Sequence, residues 1–138
     1  MSPDKVFRIA NIVALPPWIL MAALPNWEYT ALVVNSFAFP IGLSLLYTLY
    51  ISLSFGKSKG NFRTLDGLAS LFRNKNALLA GWIHYLAFDM LVGTYEWRDA
   101  LSINLPQYLL IPALFFTLMF GPFGFVLYLL IRYLFLAF

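Results

Sequence analysis

Gly81-Trp82-Ile83-His84-Tyr85-Leu86-Ala87-Phe88-Asp89-Met90-Leu91-Val92-Gly93-Thr94-Tyr95-Glu96-Trp97-Arg98-Asp99 decides the fold class. It is an apolar run of bilayer-crossing length that holds the chain's one histidine and, five residues on, an aspartate. A charge at the centre of a membrane helix costs about 2.5 to 3.5 kcal/mol on insertion scales, so ionisable groups there face a protein interior and often mark a functional site. If the span runs from Ala77 to Tyr95, its middle falls near Leu86, and His84 and Asp89 each lie within about one helical turn of the midplane.

Outward from this run, the chain is consistently apolar. Of its 138 residues 62% are hydrophobic and 11% charged, far below the roughly 25% charged of a soluble domain. The length predicts one domain, residues 1–138. The absence of cysteine removes disulfides, thiolate nucleophiles and Cys-based metal sites, and a single histidine cannot build a multi-His site within one chain. No phosphate-binding loop, dinucleotide fingerprint or His-Glu-x-x-His helix is present. The net charge of +3 does not point to nucleic acid, because Lys and Arg sit beside the ends of apolar segments, where they set membrane orientation.

The pattern predicts an all-α, integral membrane four-helix bundle with spans at about 6–24, 29–55, 77–95 and 106–136. Lys5 and Arg8 ahead of an apolar run resemble a secretory signal, but Asp4 and the Pro16-Pro17 pair favour a mature span. Pro16-Pro17 is expected to kink it. In the second span Ser44, Thr48 and Ser52 form a hydroxyl stripe beside Tyr47, read as a helix-packing face. Asn35 and Gly42 share another face. Residues 56–76 form a basic loop followed by a short amphipathic helix with Thr64 as N-cap, expected to lie in the headgroup plane. The last run, too long for one straight crossing, reads as one bent span kinked at Gly121-Pro122-Phe123-Gly124, with a broken pair of half-helices as the alternative. Four spans put both termini and the 56–76 loop on one side, with Lys5, Arg8, Lys57, Lys59, Arg63, Arg73, Lys75 and Arg132 against Arg98 alone. That side is then cytoplasmic or stromal, in a thylakoid or chloroplast membrane or a bacterial inner membrane.

At 100° per residue, His84 and Asp89 stand roughly 140° apart, which argues against a direct dyad on a regular helix. Asp89 shares a face with Trp82, Tyr85, Gly93 and Glu96. It is expected as a protonated or strongly hydrogen-bonded carboxyl able to donate a proton. His84, expected neutral, is available as a base, an acceptor or an axial ligand to a chlorophyll. Alternatively both residues belong to a polar knot with Asn11, Asn35, Ser44 or Tyr47 that fixes helix register. Arg8, Asn11 and Trp18 share a face of the first span. Glu96, Arg98 and Asp99 are expected at the far interface, pairing with each other and with headgroups or gripping the polar end of a lipid-soluble substrate. Aromatic residues, 19% of the chain, supply interfacial belts and flat walls suited to a polyene or a tetrapyrrole.

Leu65-Asp66-Gly67-Leu68-Ala69-Ser70-Leu71-Phe72, the run Gly81 to Asp89 with its Trp82-x-His84-Tyr85-x-x-x-Asp89 core, Arg98-Asp99-Ala100, and Gly121-Pro122-Phe123-Gly124 with Leu127-Tyr128 resemble the abscisic-acid-deficient-4 family of small membrane proteins. The resemblance spans most of the chain. It implies a four-span protein of the chloroplast membrane linked to the conversion of violaxanthin to neoxanthin, an isomerisation in which an epoxide opens and an allene forms. By that resemblance Asp89 is the acid at the epoxide oxygen and His84 the base at the polyene carbon, with Tyr85 able to take either role. Trp82, Asn35, Asn11, Glu96, Arg98 and Asp99 are then candidates for substrate contact. The sequence requires no cofactor. The implied partners are membrane lipids, an isoprenoid pigment, carotenoid or chlorophyll, and, for a non-enzymatic pigment-binding or scaffolding subunit, other chains of a photosynthetic complex.

Overall fold

The computed structural model describes residues 1–138 as seven helices with no strand: α1 (Pro3–Ala23), α2 (Glu28–Asn35), α3 (Ala38–Ser54), α4 (Leu65–Leu71), α5 (Lys75–Ser102), α6 (Gln107–Phe120) and α7 (Pro122–Ala137). Three stretches are long and apolar enough to cross a membrane: α1, α2 with α3, and α5.

α5 is the axis of the molecule, the helix against which α1, α3, α6 and α7 all pack. α1 runs parallel to it, as their pairings show: Asp4 meets Lys75, Asn11 meets Trp82, and the Trp18 ring lies on Gly93. A Cβ on Gly93 would come within 2.5 Å of that ring, so the missing side chain is what lets the two helices close. At 28 residues, α5 rises about 42 Å and outruns a hydrocarbon core of about 30 Å. It starts on Asn74, whose side chain caps the amides of Asn76 and Ala77. It stops where Asn104 enters the left-handed region at φ 56 and the amides of Leu105 and Asn104 bond back to Ala100 and Leu101, a Schellman-type end.

Two expected spans are interrupted. The second breaks at Ser36-Phe37, where Phe37 has φ 55. Pro40 accounts for it, since a proline lacks the amide and crowds the carbonyl four residues earlier, here that of Ser36. The Ser36 hydroxyl stitches the break, donating to the Val33 carbonyl and accepting from the Ala38 amide. Pro16-Pro17, by contrast, lies within an unbroken α1.

The second interruption changes the topology. Residues 106–136 do not form one bent fourth span: the chain turns at Gly121 (φ 43, ψ −97) and α7 doubles back along α6. A Cβ on Gly124 would collide with the Thr117 backbone, and the rings of Phe116 and Phe123 meet edge-on at 5.3 Å. Residues seven apart on a continuous helix are about 10 Å apart along its axis, so these contacts require a reversal. α6 begins beside the end of α1, where Gln107 Nε2 donates to the free carbonyls of Ala22 and Ala23. The hairpin reaches its tip at Asp89, and α7 returns until Arg132 meets Asp99. The two termini therefore lie at opposite ends of the bundle, the N-terminus by Lys75 and the C-terminus beyond Asp99, which corrects the expectation that both share one side.

Thr64 caps α4 as expected, its hydroxyl accepting from the Gly67 amide at 3.0 Å. α4 buries none of its residues and leaves Phe62 and Leu65 outward. The hydroxyl stripe is also exposed, contrary to a packing role. Its hydroxyls turn back on their own helix, Thr48 to the Ser44 carbonyl and Ser52 to that of Thr48.

Candidate functional site

The two buried carboxyls, Asp89 and Glu96, and the buried Thr117 hydroxyl lie where the hairpin packs on the middle of α5. Asp89, 8% exposed, lies against Gly121, where a Cβ would stand 2.6 Å from Asp89 Oδ1. Glycine is thus required twice at the tip, for its positive φ and for the approach to the carboxyl. The Tyr85 hydroxyl, one turn away on α5, lies beside Asp89 and donates to the Leu118 carbonyl at 3.2 Å. Seven residues beyond Asp89 on the same face, Glu96 is wholly buried and accepts a 2.7 Å bond from the Thr117 hydroxyl. Asp89 Oδ2 and Glu96 Oε2 are both buried with no hydrogen-bond partner. Such groups cost free energy in a folded chain, and each of the two carboxyls keeps one oxygen for which the fold supplies no donor.

The structure separates the other residues singled out in the sequence. His84 is exposed on a different face of α5, stacked on Phe88 at 4.7 Å and against Tyr47 at 5.7 Å, and makes no hydrogen bond. It shares no pocket with Asp89, as their angular separation anticipates, and neither a dyad nor a common polar knot forms. Trp82 does adjoin the site. It stacks on Tyr85 at 5.1 Å, packs on Phe7 at 5.5 Å, and donates through Nε1 to Asn11 Oδ1 at 2.7 Å. Arg8, expected beside Asn11, is exposed.

Glu96, Arg98 and Asp99 do not form one interfacial cluster. Glu96 is interior, whereas exposed Arg98 bonds Asn35 Oδ1 at 2.7 Å and covers the Phe37 ring at 4.9 Å. Asp99 Oδ2 accepts from both Tyr128 and Arg132 at 2.6 Å. Asn35, Arg98 and Asp99 thus belong to the far end of the bundle. Sequence reasoning missed Thr117, Tyr128 and Arg132 as partners of the α5 carboxyls. One signal was available, a lone threonine inside the apolar stretch of α6.

No group of His, Cys, Asp or Glu side chains is placed to hold a metal ion. The arrangement offers one acid–base centre: a carboxyl and a phenol at the end of an aromatic wall, with no charged neighbour except the second carboxyl.

No curated protein and no solved structure matches the chain. One family model does, ABA DEFICIENT 4-like, over residues 5–128. That stretch runs from the first turn of α1 to Tyr128 and includes every residue of the tip site, so the chain belongs to the ABA DEFICIENT 4-like family.

Proposed function

We propose that this protein is a membrane-embedded isomerase of an epoxy-carotenoid, of the neoxanthin-forming kind. The observation that carries the reading is Asp89 Oδ2, buried and unpaired beside Tyr85 at the hairpin tip. Family membership agrees with it.

The reaction moves one proton from carbon to oxygen and is redox-neutral, so it calls for no cofactor. A protonated Asp89 gives its proton to the epoxide oxygen as the C–O bond breaks. A proton then leaves the polyene carbon, and the electron pair of that C–H bond forms the cumulated double bond. The Asp89 carboxylate takes this proton and regains its starting state. The Tyr85 hydroxyl leaves the Leu118 carbonyl to donate to the oxygen during the transfer, while Trp82, fixed by Asn11, forms a wall for the polyene. Glu96, Asn35, Arg98 and Asp99 act in the fold rather than on the substrate. The near end carries Lys5, Arg8, Lys57, Lys59, Arg63, Arg73 and Lys75, and the far end Arg98 and Arg132. Even with the C-terminus relocated, the excess of basic residues supports a near end that faces the cytoplasm or stroma.

The test is conversion of supplied violaxanthin by the purified protein in lipid vesicles. We expect turnover in the wild type and loss of at least about 100-fold in Asp89→Asn, the order of a general acid–base contribution, with an unchanged melting temperature. Turnover retained in Asp89→Asn overturns the assignment.

One observation favours a second reading. His84, outward-facing and free of hydrogen bonds between two aromatic rings, suits an axial ligand to a chlorophyll in a pigment-binding subunit of a larger membrane complex. Stoichiometric chlorophyll in gently purified protein, lost in His84→Ala, would establish that reading instead.

A further inference from the structure

The near end of the bundle carries charge that the fold does not neutralise. Between α3 and the start of α5 the chain holds Lys57, Lys59, Arg63, Arg73 and Lys75 against Asp66 alone. Lys75 pairs with Asp4, but Lys57, Lys59, Arg63 and Arg73 are exposed and meet no carboxylate. Among these free cations stand Phe55, Phe62 and Leu65, each about 80% exposed. Apolar side chains interleaved with cations at the end of a membrane bundle belong to the layer where acyl chains meet headgroups.

Behind these side chains the backbone builds a groove. Asn61 Oδ1 accepts from the amides of Arg63 and Thr64 at 2.9 and 3.1 Å, and the Asn61 amide donates to the Gly67 carbonyl at 3.2 Å. A Cβ on Gly60 would collide with the α4 backbone at Gly67 and Leu71, so the segment after α3 folds tightly onto α4 and forms an outer wall. Between this wall and the adjoining ends of α3 and α5 lies an open groove of about 500 Å³, a volume in the range of small-molecule sites. Its floor is apolar, with Tyr47, Ile51, Leu71 and Ala77, and its rim is formed by Ser54, Gly56, Ser58 and Gly60. From Ser54 to Tyr47 it descends about 10 Å along α3. Lys57 and Lys59 alternate with the rim residues, and Arg63 follows Phe62, which also lines the groove.

We propose that this groove holds one anionic lipid, its phosphate or sulfonate headgroup at Lys57, Lys59 and Arg63 and an acyl chain laid along α3 toward Tyr47. A zwitterionic lipid brings an ammonium along with its phosphate to a rim already in cationic excess, which makes it the poorer ligand. A free phosphate gains nothing from the apolar floor. The bound lipid fastens α4 and the segment before it to the bilayer. It does so about 18 Å along α5 from Asp89, counted from Ala77, and independently of the chemistry at that carboxyl.

The experiment is native mass spectrometry of the full chain in detergent, titrated with dioleoyl phosphatidylglycerol or with the phosphatidylcholine of the same chains. We expect one phosphatidylglycerol per chain, bound about tenfold more tightly than phosphatidylcholine. The double variant Lys57→Gln with Lys59→Gln is expected to lose about tenfold in phosphatidylglycerol affinity. Lys5→Gln with Arg8→Gln removes the same charge from the same end outside the groove and is expected to bind like the wild type. Ile51→Trp keeps every cation, fills the floor, and is expected to weaken binding about as much as the rim pair. Equal affinity for the two lipids overturns the site, and so does an equal loss in the two double variants, which would reduce the preference to diffuse attraction. Undiminished binding by Ile51→Trp places the lipid outside the groove and overturns it as well.

Discussion

Glu96 is a carboxyl with no solvent exposure, and its one partner, Thr117, stands 21 positions away. Thr117→Val removes the donor while keeping the shape, so it leaves the carboxyl stranded. We expect a loss of about 1 to 3 kcal/mol, visible as a lowered melting temperature, with Glu96→Gln in the same background restoring part of it. Gly124→Ala is expected to cost about 1 to 3 kcal/mol as an overpacked contact, because its Cβ meets the Thr117 backbone rather than a side chain that can move. The same measurement checks it. Some residues were legible in sequence for local reasons. Thr64 stands just before a helical pattern and caps it, and the depth of Asp89 and its angle to His84 follow from helix geometry alone. The burial of Glu96 was not legible, since the Glu96-Trp97-Arg98-Asp99 cluster has the composition of a membrane interface. Only the distant donors Thr117, Tyr128 and Arg132 turn it into interior and latch.

At the scale of elements, α7 is fastened to α5 chiefly through Asp99. This carboxylate takes hydrogen bonds from Tyr128 and Arg132, on successive turns of α7, while Tyr95 packs edge-on against Phe125 and Tyr128. Asp99→Asn weakens both bonds and removes the charge attraction. A hydrogen bond to a charged group contributes about 1.5 to 3 kcal/mol, so we expect α7 to open locally. The check is hydrogen exchange, with amides of residues 125–137 exchanging faster and those of α1 and α3 unchanged. Uniform protection across the chain would show that α7 is held by apolar packing instead. Element type was readable throughout, because each span is a long apolar run. Its interruptions were harder to read. Pro40 does carry a signal for the break at Ser36-Phe37, while Pro16-Pro17 carries the same signal in a helix that stays whole, so proline alone does not distinguish a break from a tolerated site.

For the whole molecule, the decisive unknown in the sequence was whether Gly121-Pro122 bends a helix or reverses it. Both outcomes have the same composition and nearly the same hydropathy, and they differ only in where α7 finds partners. Tyr128 and Arg132 bond Asp99 near the far end of α5, not the basic near end. The half-length hairpin then places a glycine turn at midplane depth and carries the C-terminus to the far side. Irregular backbone at that depth is tolerated where protein buries it, and here the tip packs on Asp89. The chain contains no cysteine, so single introduced thiols report side without background. Ser2→Cys and Ser58→Cys, both at the near end, are expected to react with a membrane-impermeant maleimide from one side of sealed vesicles. Phe138→Cys, at a fully exposed position, is expected to react from the other side only. A continuous fourth span requires all three thiols to label from the same side, and that pattern would remove the hairpin and the tip site together.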